Sequence, residues 1–353
     1  MLCSVNNKHM KRSVLIAAII TFLQLFSFEQ KAAAQNMGQR TFQYKDEKRN
    51  RPVTTEIWYP TTDTLTQKDK AFSPFIRVQT VRNGKVPTQK MPLVFISHGA
   101  GGGRLTLEWL ADKLVQSGFI VAAVDHYGNT FDHPTAEGFL EPWERPQDIS
   151  FALTALLKDA DFGKVIDEQR LGMAGFSIGG YTTLALAGAE INVDVLKAYY
   201  KSPKGKREID LPEFPGLLNY IDKPEVANSF KNAPPLKDAR FKAFFAICPA
   251  SGQGFVNKAQ MKNINNPTYI VAAQADSIAP TTTNALHYHQ LIGKSKYYVV
   301  KGKTGHYVFL NEAIDALKKE EPTFFNDDAS VSRKQVHEEV SQLAAGFFKN
   351  NLE

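Results

Sequence analysis

Three observations predict an α/β protein with a mostly parallel central sheet and helices on both faces. Nearly continuous apolar runs recur at Pro92 to Ile96, Phe119 to Val124, Phe241 to Ile247 and Thr268 to Ala273. Segments with helical spacing separate several of these runs, and glycines punctuate the strand ends. A strand buried on both faces reads as an unbroken apolar run, and parallel neighbours need a helical crossover between them.

The elements follow in order. Residues 1–34 have a basic start (Lys8, Lys11, Arg12), an apolar core from Val14 to Phe28, and a small-residue end at Ala32-Ala33-Ala34. That pattern is a secretory signal peptide, so a secreted or periplasmic location is expected. The 15-residue apolar core is short for a membrane span, and none is expected after processing. Residues 35–353 then form one large domain. The spacing predicts strands from Arg40 to Tyr44 and Val53 to Tyr59, then a polar surface excursion from Thr61 to Gln89. After the strand at Pro92 to Ile96 come a helix from Leu105 to Ser117, the strand Phe119 to Val124 and a helix from Glu144 to Leu157. A strand from Arg170 to Phe176 leads into a helix from Ile178 to Ala189. Residues 192–237 break the alternation with many lysines and six prolines, and are read as an inserted cap. Strands at Phe241 to Ile247, Thr268 to Ala273 and Lys296 to Val300, with helices at Thr281 to Ile292 and Val331 to Asn350, complete the chain.

Composition narrows the function. The formal net charge is +6, but the first 34 residues hold four basic residues and one acidic one, leaving +3 on the rest. Such a balance, with no basic stretch interleaved with aromatics, gives no reason to expect a nucleic-acid partner. Cys248 is the single cysteine beyond the signal segment, so an internal disulfide is excluded there and a buried strand-end thiol is expected. No cysteine cluster and no H-E-x-x-H pattern occur, so neither a metal nor a cofactor is expected.

The sharpest motif is Gly175-Phe176-Ser177-Ile178-Gly179, placed between a predicted strand and a predicted helix. Small flanking residues permit the tight turn that projects a serine from the sheet edge. A serine hydroxyl needs a general base, and on such sheets the acid and then the histidine follow the serine. Asp276, at the end of one predicted strand, is the candidate acid. His306, after the last strand, is the candidate base. His287 and His289 are two apart on a helix and face different ways; His98 and His126 precede the serine. Backbone donors for an oxyanion are expected from Ile178, which opens the helix, and from Ala100 in the loop His98-Gly99-Ala100-Gly101-Gly102-Gly103, with Gly101 in reserve. His126, Tyr127 and Trp143 are candidate substrate-binding residues. Leu217, Leu218, Tyr220 and Ile221 of the inserted segment are candidate pocket walls.

The segments Ile96-Ser97-His98-Gly99, Asp125-His126-Tyr127-Gly128-Asn129-Thr130, Glu144-Arg145-Pro146-Gln147-Asp148-Ile149 and Gly305-His306-Tyr307 resemble bacterial proteins often labelled predicted dienelactone hydrolases. These are similar to platelet-activating-factor acetylhydrolases, and the resemblance runs from about Arg40 to the end. It implies the α/β-hydrolase fold and a cofactor-free serine esterase acting on a small or polymeric ester. True dienelactone hydrolases use a cysteine nucleophile where this chain has Ser177, so the label does not carry over to substrate. Amide or peptide hydrolysis by the same residues, and a non-catalytic binding protein on this scaffold, are the alternatives.

Overall fold

The computed structural model describes residues 36–65, 73–231 and 234–353. The signal peptide expected over 1–34 lies outside them. Nine strands form one sheet among the described residues. We number them β1 (Asn36–Asp46), β2 (Arg51–Thr61), β3 (Val81–Arg82), β4 (Met91–Ser97), β5 (Ile120–Val124), β6 (Ile166–Phe176), β7 (Phe241–Ile247), β8 (Thr268–Ala273) and β9 (Lys296–Val300). Their spatial order is β9-β8-β7-β6-β4-β5-β2-β1-β3. From β5 to β9 every neighbour pair is parallel. At the other end β2 runs antiparallel to both β1 and β5.

Alternation along each strand divides the core. Val94 and Ile96 face α1 (Glu108–Gln116) and α8 (Arg333–Leu352), in one cluster with Leu110, Leu114 and Phe348. Leu93 and Phe95 face the opposite layer with Ile149 and Leu153 of α2 (Glu144–Lys158). On that second face, α3 (Ile178–Ala187) and α7 (Ala285–Ile292) meet Ala246 and Ile270 through Leu184 and Tyr288. The period of two in β4 thus serves two helical layers at once.

Several boundaries differ from the sequence reading. The opening hairpin is longer at both ends, because ladder hydrogen bonds extend past its apolar residues. The polar excursion contributes β3, which pairs with β1, and Phe75 bridges to Ala313. Helix α7 begins at Ala285 and not at Thr281, because residues 281–284 form turns after Pro280. Residues 192–231 are more regular than their prolines suggested. They form α4 (Val193–Tyr200), α5 (Pro203–Ile209), a 3-10 turn at Leu217–Tyr220 and α6 (Pro224–Lys231). Pro203 opens α5 with Ser202 as its cap, where a missing N–H costs no helical bond. Ile209, Leu217 and Ile221 of this segment pack with Ala136 and Phe139.

Candidate active site

Strand β6 ends at Phe176, and Ser177 turns the chain into α3 with φ 58° and ψ −120°. A non-glycine residue held there stores about 1–3 kcal/mol of strain. The turn is held by the Ser177 N–H donating to Ile247 O (2.9 Å) and by Ala250 N–H donating to Ser177 O (3.0 Å). It also needs close backbone approach: a Cβ at Gly179 would lie 2.0 Å from Ser97 O.

Ser177 Oγ lies 2.9 Å from His306 Nε2, and His306 Nδ1 lies 2.7 Å from Asp276 Oδ2. All three residues are buried. Asp276 follows β8, and its Oδ1 accepts the N–H groups of Ile278 (3.0 Å) and Ala279 (2.8 Å), which aims Oδ2 at the imidazole. His306 opens a 3-10 turn after β9, with its ring against Phe176 at 4.7 Å. A hydroxyl, an imidazole and a carboxylate in this chain can pass a proton from serine to histidine while the carboxylate steadies the cation formed.

The loop after β4 lies beside the serine. Gly101 N–H is spent on Asn129 Oδ1 (3.2 Å), Gly102 N–H on Gly99 O (3.3 Å) and Gly103 N–H on Thr106 Oγ1 (2.8 Å). Ala100 and Ile178 both line the cavity that opens on Ser177. Of the two loop candidates, Ala100 is therefore the one whose N–H is not already engaged by Asn129.

The cavity encloses about 90 Å³. Trp143 lines it, as expected, and so do Leu217 and Ile221 of the inserted segment. His126 and Tyr127 do not, which corrects the sequence reading. His126 is fully buried behind the loop, with Nδ1 on Asp148 Oδ2 (2.9 Å) and Nε2 on Ser97 Oγ (2.9 Å). Tyr127 points outward at 41% exposure, against His133 and beneath the Arg51 guanidinium. Leu218 and Tyr220 also fall outside the cavity wall; Tyr220 packs on Phe214 and under Lys223.

A buried polar network supports the loop, and the sequence reading missed it. The Arg145 guanidinium, 1% exposed, donates to Asn129 Oδ1 (3.1 Å), Thr182 Oγ1 (3.3 Å), Ser97 Oγ (3.3 Å) and His98 O. Burial lowers its value to about 9. Burial would raise the Asp148 carboxyl, but Arg51 and the His126 bond hold it below the usual range. Burial, with Arg145 adding, lowers His126 to about 3. An arginine directly after Trp143 and Glu144 within a helical segment was the available signal; surface exposure is its default reading.

Cys248 directly follows β7 and is buried, with its thiol pushed up by desolvation and by Asp276. Its sulfur, the Asp276 carboxylate and the His306 imidazole offer donor atoms within 4.8 Å of one another, a set that could hold a metal ion. The histidine and carboxylate donors are already joined by the 2.7 Å bond.

Fold and site together define the class: the chain has the α/β-hydrolase fold, with a serine–histidine–aspartate arrangement at the C-terminal edge of its sheet. A family model described as PET hydrolase-like matches residues 80–239. Cutinase est1 of Thermobifida alba is 33% identical over 54% of this chain and 55% of its own length. Cutinase 2 of Thermobifida cellulosilytica is 32% identical over 27% of this chain and 33% of its own. The chain thus spans about half, or less, of these curated relatives. A solved structure, ferulic acid esterase from Streptomyces cinnamoneus, superposes with a TM-score of 0.60 at 18% identity, covering 92% of each chain. These similarities lie with esterases of the α/β-hydrolase superfamily. No helix of the described residues is long and apolar enough to cross a membrane.

Proposed function

We propose that this protein is an exported serine esterase that cleaves carboxylic esters through an acyl-enzyme. The observation that carries the reading is the hydrogen-bonded chain from Ser177 through His306 to Asp276 at the floor of a lined cavity. Ser177 attacks the ester carbonyl while His306 takes its proton; the N–H groups of Ala100 and Ile178 receive the oxyanion. His306 then returns the proton to the departing alcohol, and water repeats the sequence to release the acid. The similarity to cutinases and to a ferulic acid esterase supports an ester over an amide. Residues 192–231 act as a cap, since Val193, Leu196, Leu217 and Ile221 wall the cavity above Ser177. Export rests on the charged, apolar and small-residue pattern of residues 1–34. The test is turnover of p-nitrophenyl acetate: Ser177→Ala should abolish it with the fold intact, and undiminished turnover would end the proposal.

A further inference from the structure

Ala100 and Ile178, whose N–H groups receive the oxyanion, come from separate elements, the loop after β4 and the start of α3. Pairing of β4 with β6 brings the two segments side by side, but both residues lie beyond its last pair, Ser97 with Gly175. The Arg145 guanidinium of α2 is bonded toward both. On the loop side it donates to His98 O, two residues before Ala100. It also donates to Asn129 Oδ1 (3.1 Å), and the same oxygen accepts the N–H of Gly101 (3.2 Å), directly after Ala100. Bonds on both sides thus bracket Ala100. On the helix side Arg145 Nε donates to Thr182 Oγ1 (3.3 Å), and that hydroxyl donates in turn to Ile178 O (3.0 Å).

The links are stiff. Arg145, His98, Asn129 and Thr182 are all buried, where a hydrogen bond is electrostatically stronger than in water. Asn129 Nδ2 donates to Gly138 O (2.9 Å), which fixes the direction in which its oxygen points. A guanidinium is planar and holds its N–H groups in a rigid fork, so one arginine spans both sides; a lysine is a flexible point donor and cannot. Precision matters here, because donors stabilise an oxyanion when they lie about 2.7–3.1 Å from it. A misplacement of about 1 Å can cost about 100-fold in rate. We infer that Arg145 is a positioning residue for the reaction, setting the separation of the Ala100 and Ile178 N–H groups through Asn129 and Thr182. The inference rests on the esterase reading of Ser177.

Two readouts with the full chain test it: kcat/KM for p-nitrophenyl acetate, and the Ki of ethyl trifluoromethyl ketone. The ketone adds to the serine as a tetrahedral oxyanion, so its Ki reports the two donors. A variant that merely lowered the folded fraction would lower kcat/KM and leave Ki unchanged. Arg145→Lys should lower kcat/KM by about 100-fold and raise Ki by about the same factor. Asn129→Leu and Thr182→Val each break one arm and should each shift both quantities by about tenfold. Thr182→Ser keeps the hydroxyl and should recover most of the Thr182→Val loss. If Arg145→Lys does not fold, the two single-arm variants decide by the same criteria. An unchanged Ki in Asn129→Leu and Thr182→Val would overturn the inference, whether or not kcat/KM falls. A wild-type protein with no turnover at all would instead overturn the esterase reading beneath it.

Discussion

Ser177 sits at φ 58° and ψ −120°, a conformation that glycine adopts freely and any residue with a Cβ does not. Comparing Ser177→Gly with Ser177→Ala therefore isolates the strain. Both variants lose the hydroxyl and its 2.9 Å contact with His306, so that loss cancels. Alanine retains the Cβ and with it strain of about 1–3 kcal/mol. Glycine removes the strain but admits more unfolded conformations, which costs about 0.4–1 kcal/mol. The expected balance is that glycine is more stable than alanine by about 1 kcal/mol, or about 1–2 °C in Tm for a domain of this size. Differential scanning calorimetry of the two inactive variants reads this directly. If the glycine variant melts below the alanine variant, the elbow is not strained in the way the backbone angles indicate.

Further outcomes follow from the same geometry. Asp276→Asn should cut kcat by orders of magnitude with little change in melting temperature, because it removes the carboxylate that orients His306; a kcat within tenfold of wild type would remove Asp276 from the chemistry. Arg145→Met should destabilise the fold by about 2–4 kcal/mol in urea titration, since the buried acceptors Asn129, Thr182, Ser97 and His98 O lose their donor; a change below about 1 kcal/mol would contradict that. His126 is lowered to about 3 and Asp148 is held below the carboxylate range. The buried His126 ring stays neutral while the unfolded one charges, so stability falls as pH drops from about 6.5 toward 3, whereas the Asp148 contribution is intact above about pH 4 and is lost only below it; a melting temperature flat from about pH 6.5 to 3 would refute the His126 part of the coupling. Burial raises Glu141 to about 7, the opposite sign, so Glu141→Gln should raise the melting temperature at pH 8 and leave it unchanged at pH 4.

Much of the fold could be read from residue order because both faces of the sheet are covered. Val94 and Ile96 face one layer and Leu93 and Phe95 the other, so β4 is a continuous apolar run in the sequence. Ser177, Asp276 and His306 each sit where a buried run ends, and turn glycines mark two of those ends. Cooperation between distant positions was not readable. His126 looked like a pocket residue because it follows β5, yet its ring is claimed by Asp148 and Ser97, contributed by a helix and a neighbouring strand. Tyr127 is turned outward because the chain reverses at Gly128, with φ 79°. Arg145 is covered on all sides by groups from the loop after β4, from α3 and from Asn129, and no local pattern announces that. In the inserted segment the apolar residues were visible, but helical phase decides that Leu217 and Ile221 face the cavity while Leu218 and Tyr220 do not.

The central claim is that Ser177 becomes acylated. Mixing the protein with p-nitrophenyl acetate, quenching in acid within the first turnover and mapping the digest by mass spectrometry tests it directly. The account predicts one acetyl group on Ser177, formed together with a burst of p-nitrophenol and absent from Ser177→Ala. Continued ester turnover with no acetyl on Ser177, or an acetyl group found on Cys248 in its place, would contradict it.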